Sequence, residues 1–408
     1  MGQTLVDDGR HGLLMMKTVS SYRHRARNCL METTFFAKIS QFQQIDEILP
    51  TRPYNGVQGF LPDPAVSAVA ISVLTMRPER KTMEQRPIEM PDETTVAPPS
   101  RQPVLRRINE AQRALEYLLF NVDREADAQA RFLDVAGKLI AAVEDGPDIA
   151  LAAILHNQDE GSYAVRHCID TAVVAMLVAR ALDKLPHQIL AIVAGALTMN
   201  IGMLHKHEQL QGRLNAISND ELAAIHAHPQ EGVDILRRAG ITDEEWLDCV
   251  LLHHENEDGS GYPFGRSGDD IPLNVKIIAL ADRYCARVSS RSYRRSLLPI
   301  EALRDILLAD HQIVDPMLTA CFIRVAGMYP TGAVVRLASG EIGVVAGKGS
   351  DSTAPAVQVL VGVDGVLLAA PLRRDTGVAG FGVREMLSGE QAGVRFRMWQ
   401  VWGEDARA

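Results

Sequence analysis

Cysteine is sparse in this 408-residue sequence, long apolar runs are missing, and positive charge is in deficit. The five cysteines, Cys29, Cys168, Cys249, Cys285 and Cys321, are odd in number, far apart and form no Cys-x-x-Cys pair. That spacing excludes a disulfide framework and a zinc knuckle and fits a reducing compartment. The most apolar stretch, ILAIVAGALTM at 189 to 199, falls well short of the roughly 20 residues that span a bilayer, so no transmembrane helix is expected. The N-terminus has basic residues without an apolar segment and small-residue cleavage site, so no signal peptide is expected and the cytoplasm is the expected location. A formal net charge of -9 argues against an electrostatic grip on a nucleic acid polymer or an anionic membrane, while leaving small anionic ligands open.

What is present divides the chain into three. Half of the 20 prolines lie between Pro50 and Pro103, and MRPERKTMEQRPIEMPDETTVAPPSRQP has the composition of a linker. Residues 1–103 are therefore a weakly patterned N-terminal region followed by a Pro-rich linker. Over 104–327 apolar residues recur at three and four residue steps, as in LRRINEAQRALEYLLFNV, ARFLDVAGKLIAAVE and VKIIALADRYCARV. No convincing strand interrupts them. The prediction is an all-helical bundle whose facing side chains converge on a core site.

From 328 to 408 the period changes to two. AVVRLASGEIGVVAG and AVQVLVGVDGVLLAAPL each place Ser-Gly or Asp-Gly between β-branched runs, as hairpins do. A small β-barrel-like module or sheet is expected there, with VRFRMWQVW as a further strand or short helix. The fold class is thus mainly α, with a small β-rich C-terminal module.

Nine of the twelve histidines lie between His156 and His254. A lone histidine is ordinarily a surface or hydrogen-bonded core residue, and histidine is only a middling helix former. Adjacent His253 and His254, closing an apolar helix face and followed by acids and a glycine-rich turn, point instead toward a transition-metal site.

HHENEDGSGYP, residues 253–263, resembles the second signature of the HD-GYP family, a branch of the HD phosphohydrolases that hydrolyses the bacterial messenger cyclic di-GMP. SYAVRHCIDTAVVA resembles the family's first histidine helix, with His167 in the ligand position, and ELAAIHAHPQEGVDIL puts the next ligand at His228. KIIALADRYCARVSSRSYRRSL is similar to the segment that supplies a metal-binding aspartate, Asp282, and a phosphate clasp, Arg291 and Arg294 around Tyr293. The resemblance implies metal ligation by His167, His228, His253, His254 and Asp282, with Fe or Mn as the metal. It also implies a partner-contacting loop made of Asp258, Gly259, Gly261, Tyr262 and Pro263, for which diguanylate cyclase domains are the implied partners.

One segment departs from the family. Active members read Leu-His-Asp-Ile-Gly-Lys where this chain reads TMNIGM, so the metal-binding histidine, the bridging aspartate and the phosphate-binding lysine are Met199, Asn200 and Met203. A bridging carboxylate offsets the repulsion of two cations and sets up the attacking hydroxide. Asparagine is neutral, a thioether is a poor ligand for Fe or Mn, and methionine brings no cation to the developing phosphate charge. Nearby His205 and His207, with Lys206, are candidates for compensation, but a shift of a few residues around a helix end re-aims a side chain too far. Tyr163 stands where a three-metal subgroup has glutamate.

The expectation is a degenerate HD-GYP signalling protein that retains at most one weakly held metal, binds cyclic di-GMP or protein partners, and has no confident catalytic residue. The alternative is an active cyclic di-GMP phosphodiesterase with a rearranged metal site.

Overall fold

The computed structural model describes residues 102–157, 161–204, 206, 218–289, 297–308, 314–351 and 353–408. Arg291, Tyr293, Arg294, His205, His207 and residues 1–101 of the N-terminal region and its linker lie outside the described residues.

Ten helices of eight or more residues are described: α1 Val104–Asn121, α2 Ala128–Asp145, α3 Pro147–His156, α4 Tyr163–Ala181, α5 Pro186–Thr198, α6 Asn219–Arg238, α7 Glu244–Leu252, α8 Leu273–Val288, α9 Pro299–Leu308 and α10 Pro316–Ala326. Their starts follow local chemistry. Ser162, Ser218 and Asp243 accept hydrogen bonds from backbone amides in the first turns of α4, α6 and α7, and Glu221 completes a capping box at Ser218. Proline stands in the first turn of α3, α5 and α10, where its missing N–H costs nothing.

α4 is the central rod, buried on nearly every side, and it packs against α5 and α8. α3 has no counterpart among the periodic segments of the sequence. PDIALAAILH is apolar almost all round and mostly buried, so it shows no three-and-four spacing from which to recognise it. α7 closes the bundle over α5. Trp246 donates its indole N–H to Thr198 Oγ1 at 2.8 Å, and the Phe132 ring meets the Trp246 ring edge-on at 6.0 Å. Gly195 makes this approach possible, since a Cβ there would lie 2.6 Å from Cys249 Cβ.

Five strands follow: β1 Val334–Leu337, β2 Ile342–Asp351, β3 Ala354–Val361, β4 Leu367–Asp375 and β5 Val383–Leu387. They form one antiparallel sheet in the order β4-β3-β2-β1-β5. The two hairpins lie where Ser339-Gly340 and Asp364-Gly365 predict them, and both glycines have positive φ. One face buries Val335, Leu337, Val345, Val357 and Val359 against Leu298 and Ile300, which brings the start of α9 onto the sheet. The other face is covered by a short helix over Met398–Trp402, where Trp402 donates to Ala346 O at 2.8 Å. The helical domain holds the sheet through Thr331 Oγ1 donating to Asp148 Oδ1 at 3.0 Å and His156 Nε2 donating to Gly332 O at 2.7 Å. Among the described residues, no helix is long and apolar enough to cross a membrane.

Candidate metal centre

Three helices and the turn after a fourth bring the predicted ligands together. His167 sits in the second turn of α4, His228 in the middle of α6, Asp282 on α8, and His253 with His254 just past the end of α7. His167, His228 and His253 are buried, and His254 is partly open.

These residues form two groups. His167 Nε2 lies 2.7 Å from Asp282 Oδ1, a contact across 115 residues of sequence. Burial alone would raise the Asp282 carboxyl. The hydrogen bond and charge of His167, with His254 and His253 beside it, outweigh burial and hold that carboxyl well below the usual carboxylate range. Tyr163, one turn before His167, stacks on the imidazole with ring centroids 5.8 Å apart.

The second group is His228, His253 and His254, from which one donor atom each can be chosen so that all lie within 4.8 Å of one another. His228 Nδ1 donates to Ile225 O at 2.5 Å and His253 Nδ1 donates to Val250 O at 2.7 Å, each bonding the carbonyl three residues earlier. Their Nε2 atoms face each other at 3.3 Å. Burial, followed by the neighbouring His253 and His228, holds His254 well below the usual imidazole range, and burial also lowers His253. Neutral imidazoles keep a lone pair for a cation.

The segment TMNIGM forms the wall beside His228. Thr198 ends α5, and Ile201–Met203 make one 3-10 turn. Gly202 packs so closely on α6 that a Cβ would overlap the His228 carbonyl oxygen and lie 2.7 Å from Gly232 N. Met199, Asn200 and Met203 are all buried. Asn200 hydrogen-bonds to Cys168, the neighbour of His167, so a neutral amide stands where the resemblance calls for a bridging carboxylate. The carboxylate-bridged metal pair of active HD-GYP proteins does not fit these residues.

The loop after His254 is strapped onto the site. Gly261 lies flat on the chain before it, where a Cβ would stand 2.5 Å from Asn256 N, Glu255 Cα and His254 O. The Tyr262 ring lies 4.7 Å from the His254 ring and stacks on His226 at 4.3 Å, so it faces the histidines. Burial, together with the charge of Asp282, pushes its hydroxyl pKa far up, and Tyr262 stays neutral. Asp258 is exposed and accepts from Ser260 N and Oγ, while Gly259 has φ +78° and Pro263 follows a cis peptide.

Three residues that sequence patterns did not single out hold this loop. Buried Glu255 accepts from Phe264 N at 2.8 Å and Arg266 N at 3.0 Å. Arg283, next to Asp282, donates to Asn256 Oδ1, and Asn256 donates to Ser260 Oγ at 2.8 Å. His226 supports Tyr262 from the far side. The one sequence signal for Glu255 was an acid directly before a glycine-rich loop with amides to satisfy; His226 and Arg283 had none.

A helical bundle that gathers histidines and an aspartate from separate helices onto one internal site is the architecture of an HD domain, and residues 144–318 match the family model described as HD domain. A cyclic di-GMP phosphodiesterase of Pseudomonas aeruginosa is 30% identical over 214 residues, which is 52% of this chain and 51% of that protein. A cyclic di-GMP phosphodiesterase response regulator of Xanthomonas campestris is 28% identical over 155 residues, 37% of this chain and 40% of that one. The chain thus spans about half the length of the first relative and less of the second. Among solved structures, an HDGYP protein from Bdellovibrio bacteriovorus is 19% identical with a TM-score of 0.47, covering 57% of this chain and 73% of that one. Residues 144–318 thus match the HD domain family, and the relatives named here are cyclic di-GMP phosphodiesterases.

Proposed function

We propose that this chain is a non-hydrolytic HD-GYP signalling protein of the cyclic di-GMP system, working in the cytoplasm by binding the nucleotide and contacting protein partners through the loop around Tyr262. One observation carries the reading: Met199, Asn200 and Met203 are buried in the wall against α6, and Asn200 is committed to Cys168. Losing a comparable electrostatic group costs roughly 100-fold or more in turnover. Three such losses in one wall remove the bridging charge, one ligand and the phosphate-binding cation together.

The residues leave room for one ion of the iron or manganese that the resemblance implies. For the nucleotide, Arg291 and Arg294 are the proposed phosphate clasp, since guanidinium forks suit phosphate oxygens. For protein partners, Phe264 presents an apolar ring to solvent beside the strapped loop, with 57% of its surface exposed. Diguanylate cyclase domains are the proposed partners. The second reading, an active cyclic di-GMP phosphodiesterase with a rearranged site, has in its favour that His167, His228, His253, His254 and Asp282 still converge.

One experiment separates them. Cyclic di-GMP binding and turnover are measured for the purified protein and for a Met199→His, Asn200→Asp, Met203→Lys variant. Binding without turnover in the natural sequence, with hydrolysis gained in the variant, is the expected result. Turnover of the natural sequence at roughly 0.1 per second or faster, an ordinary enzyme rate, would sink the reading.

A further inference from the structure

The aromatic rings around the buried histidines continue outward to the surface of α6. The Tyr262 ring meets the His254 ring at 4.7 Å and the His226 ring at 4.3 Å, and the planes of Tyr262 and His226 are only 23° apart. His228 is buried, whereas His226, two residues before it on α6, is exposed. Two helical positions that far apart differ by roughly 200° around the axis, so the helix that delivers one imidazole inward sets the other outward. Leu222 stands one turn before His226 on the same face of α6, with 45% of its surface exposed. A surface histidine ordinarily rotates freely. Here a near-parallel phenol ring lies on one face of the imidazole and fixes its orientation, which leaves the opposite face as a flat, exposed surface.

Resting on the nucleotide-binding reading above, we propose that His226 is a base-stacking residue: one purine of a cyclic dinucleotide lies on the outer face of its imidazole, with Tyr262 behind the ring and Leu222 at its edge. Three features favour a purine there. The platform is aromatic and flat, and aromatic side chains bind bases through their faces without needing hydrogen-bond partners. It is ordered before the ligand arrives, so little rotamer freedom is lost on binding. It also adjoins the histidine site through Tyr262, so a base on His226 belongs to the same ligand whose phosphates the guanidinium clasp would hold. Stacking grows with the size of the π face, so His226 separates purines from pyrimidines and leaves guanine and adenine alike.

The test titrates the full chain with cyclic di-GMP, cyclic di-AMP and cyclic di-UMP, which share one sugar-phosphate ring and differ in the base. The natural sequence is expected to bind both purine ligands more tightly than cyclic di-UMP. His226→Ala weakens the purine ligands by about 5- to 50-fold, the loss of one base stack, and weakens cyclic di-UMP by less. His226→Trp keeps or tightens cyclic di-GMP binding, and the fluorescence it adds to that of Trp246, Trp399 and Trp402 is quenched as the nucleotide binds. An equal loss for all three ligands in His226→Ala would show that His226 only props Tyr262, and would overturn the assignment. Unchanged cyclic di-GMP affinity in His226→Ala, or an unquenched tryptophan in a His226→Trp protein that still binds, would overturn it too. A natural chain that binds none of the three overturns the nucleotide-binding reading and the stacking with it, whereas intact binding that ignores His226 overturns the stacking alone.

Discussion

Replacing Glu255 isolates what holds the Tyr262 loop against the histidines. Its carboxylate is 2% exposed and accepts from two amides, Phe264 N at 2.8 Å and Arg266 N at 3.0 Å. In Glu255→Ala both amides lose an acceptor, and a donor stranded in a partly buried site costs ~1–3 kcal/mol. Water reaches the outer side of the loop and recovers part of that, so the local opening free energy falls by about 2–4 kcal/mol. At 1.36 kcal/mol per factor of ten, amide exchange at Phe264 and Arg266 speeds up by roughly 30- to 1000-fold. Glu255→Gln falls between, because the amide keeps one acceptor oxygen but turns its own N–H groups toward another donor. Hydrogen exchange read at single-residue resolution on the folded full chain is the assay, with the amides of α4 as internal reference. Exchange at Phe264 and Arg266 within threefold of the natural sequence would refute the claim that Glu255 pins the loop.

Two further substitutions probe the core around the site. Gly202→Ala drives a methyl into the His228 carbonyl and must push the 3-10 turn off α6; a loss of about 1–3 kcal/mol is expected, read as a lower urea midpoint at unchanged slope. Asp170 is buried on α4, its Oδ2 makes no hydrogen bond, and burial pushes its pKa up to about 8 against the opposing charge of Arg166 and the influence of Ser289. A carboxyl with a raised folded-state pKa binds its proton more tightly when folded. Its contribution is therefore complete at acid pH and is lost as pH rises from the ordinary carboxylate range through about 8. Asp170→Asn abolishes that loss: its thermal midpoint overtakes the natural sequence above about pH 8, and parallel pH profiles would contradict the assignment.

The helical domain was legible because most of its helices are one-sided, and one-sidedness leaves a period. α1 and α2 alternate buried and exposed turns and were found; α3, buried nearly all round, was not. The hairpins were legible through Ser339-Gly340 and Asp364-Gly365, whose glycines carry the positive φ that the turns need. The histidines were legible as a cluster, but their partition was not. That His167 bonds to Asp282 while His228 faces His253 depends on distances across 115 and 25 residues, which no local pattern encodes. Glu255 was legible only as one of the acids that follow His254, because its role is set by amides that return to it nine and eleven residues later.

The loop around Tyr262 and the histidine triad therefore form one structural unit. Gly261 can lie on the backbone of His254 to Asn256 only without a side chain, Glu255 closes the loop behind it, and Arg283 ties Asn256 to the helix that carries Asp282. A ligand that displaces Tyr262 must also disturb the rings of His254 and His226, which pack on its ring. An ion held by His228, His253 and His254 must conversely stiffen the loop, since His254 sits between them. Coupling of this kind needs no hydrolysis, and it is reciprocal: whatever partner the loop favours in its strapped form will favour the ion, by the same factor that the ion favours the partner.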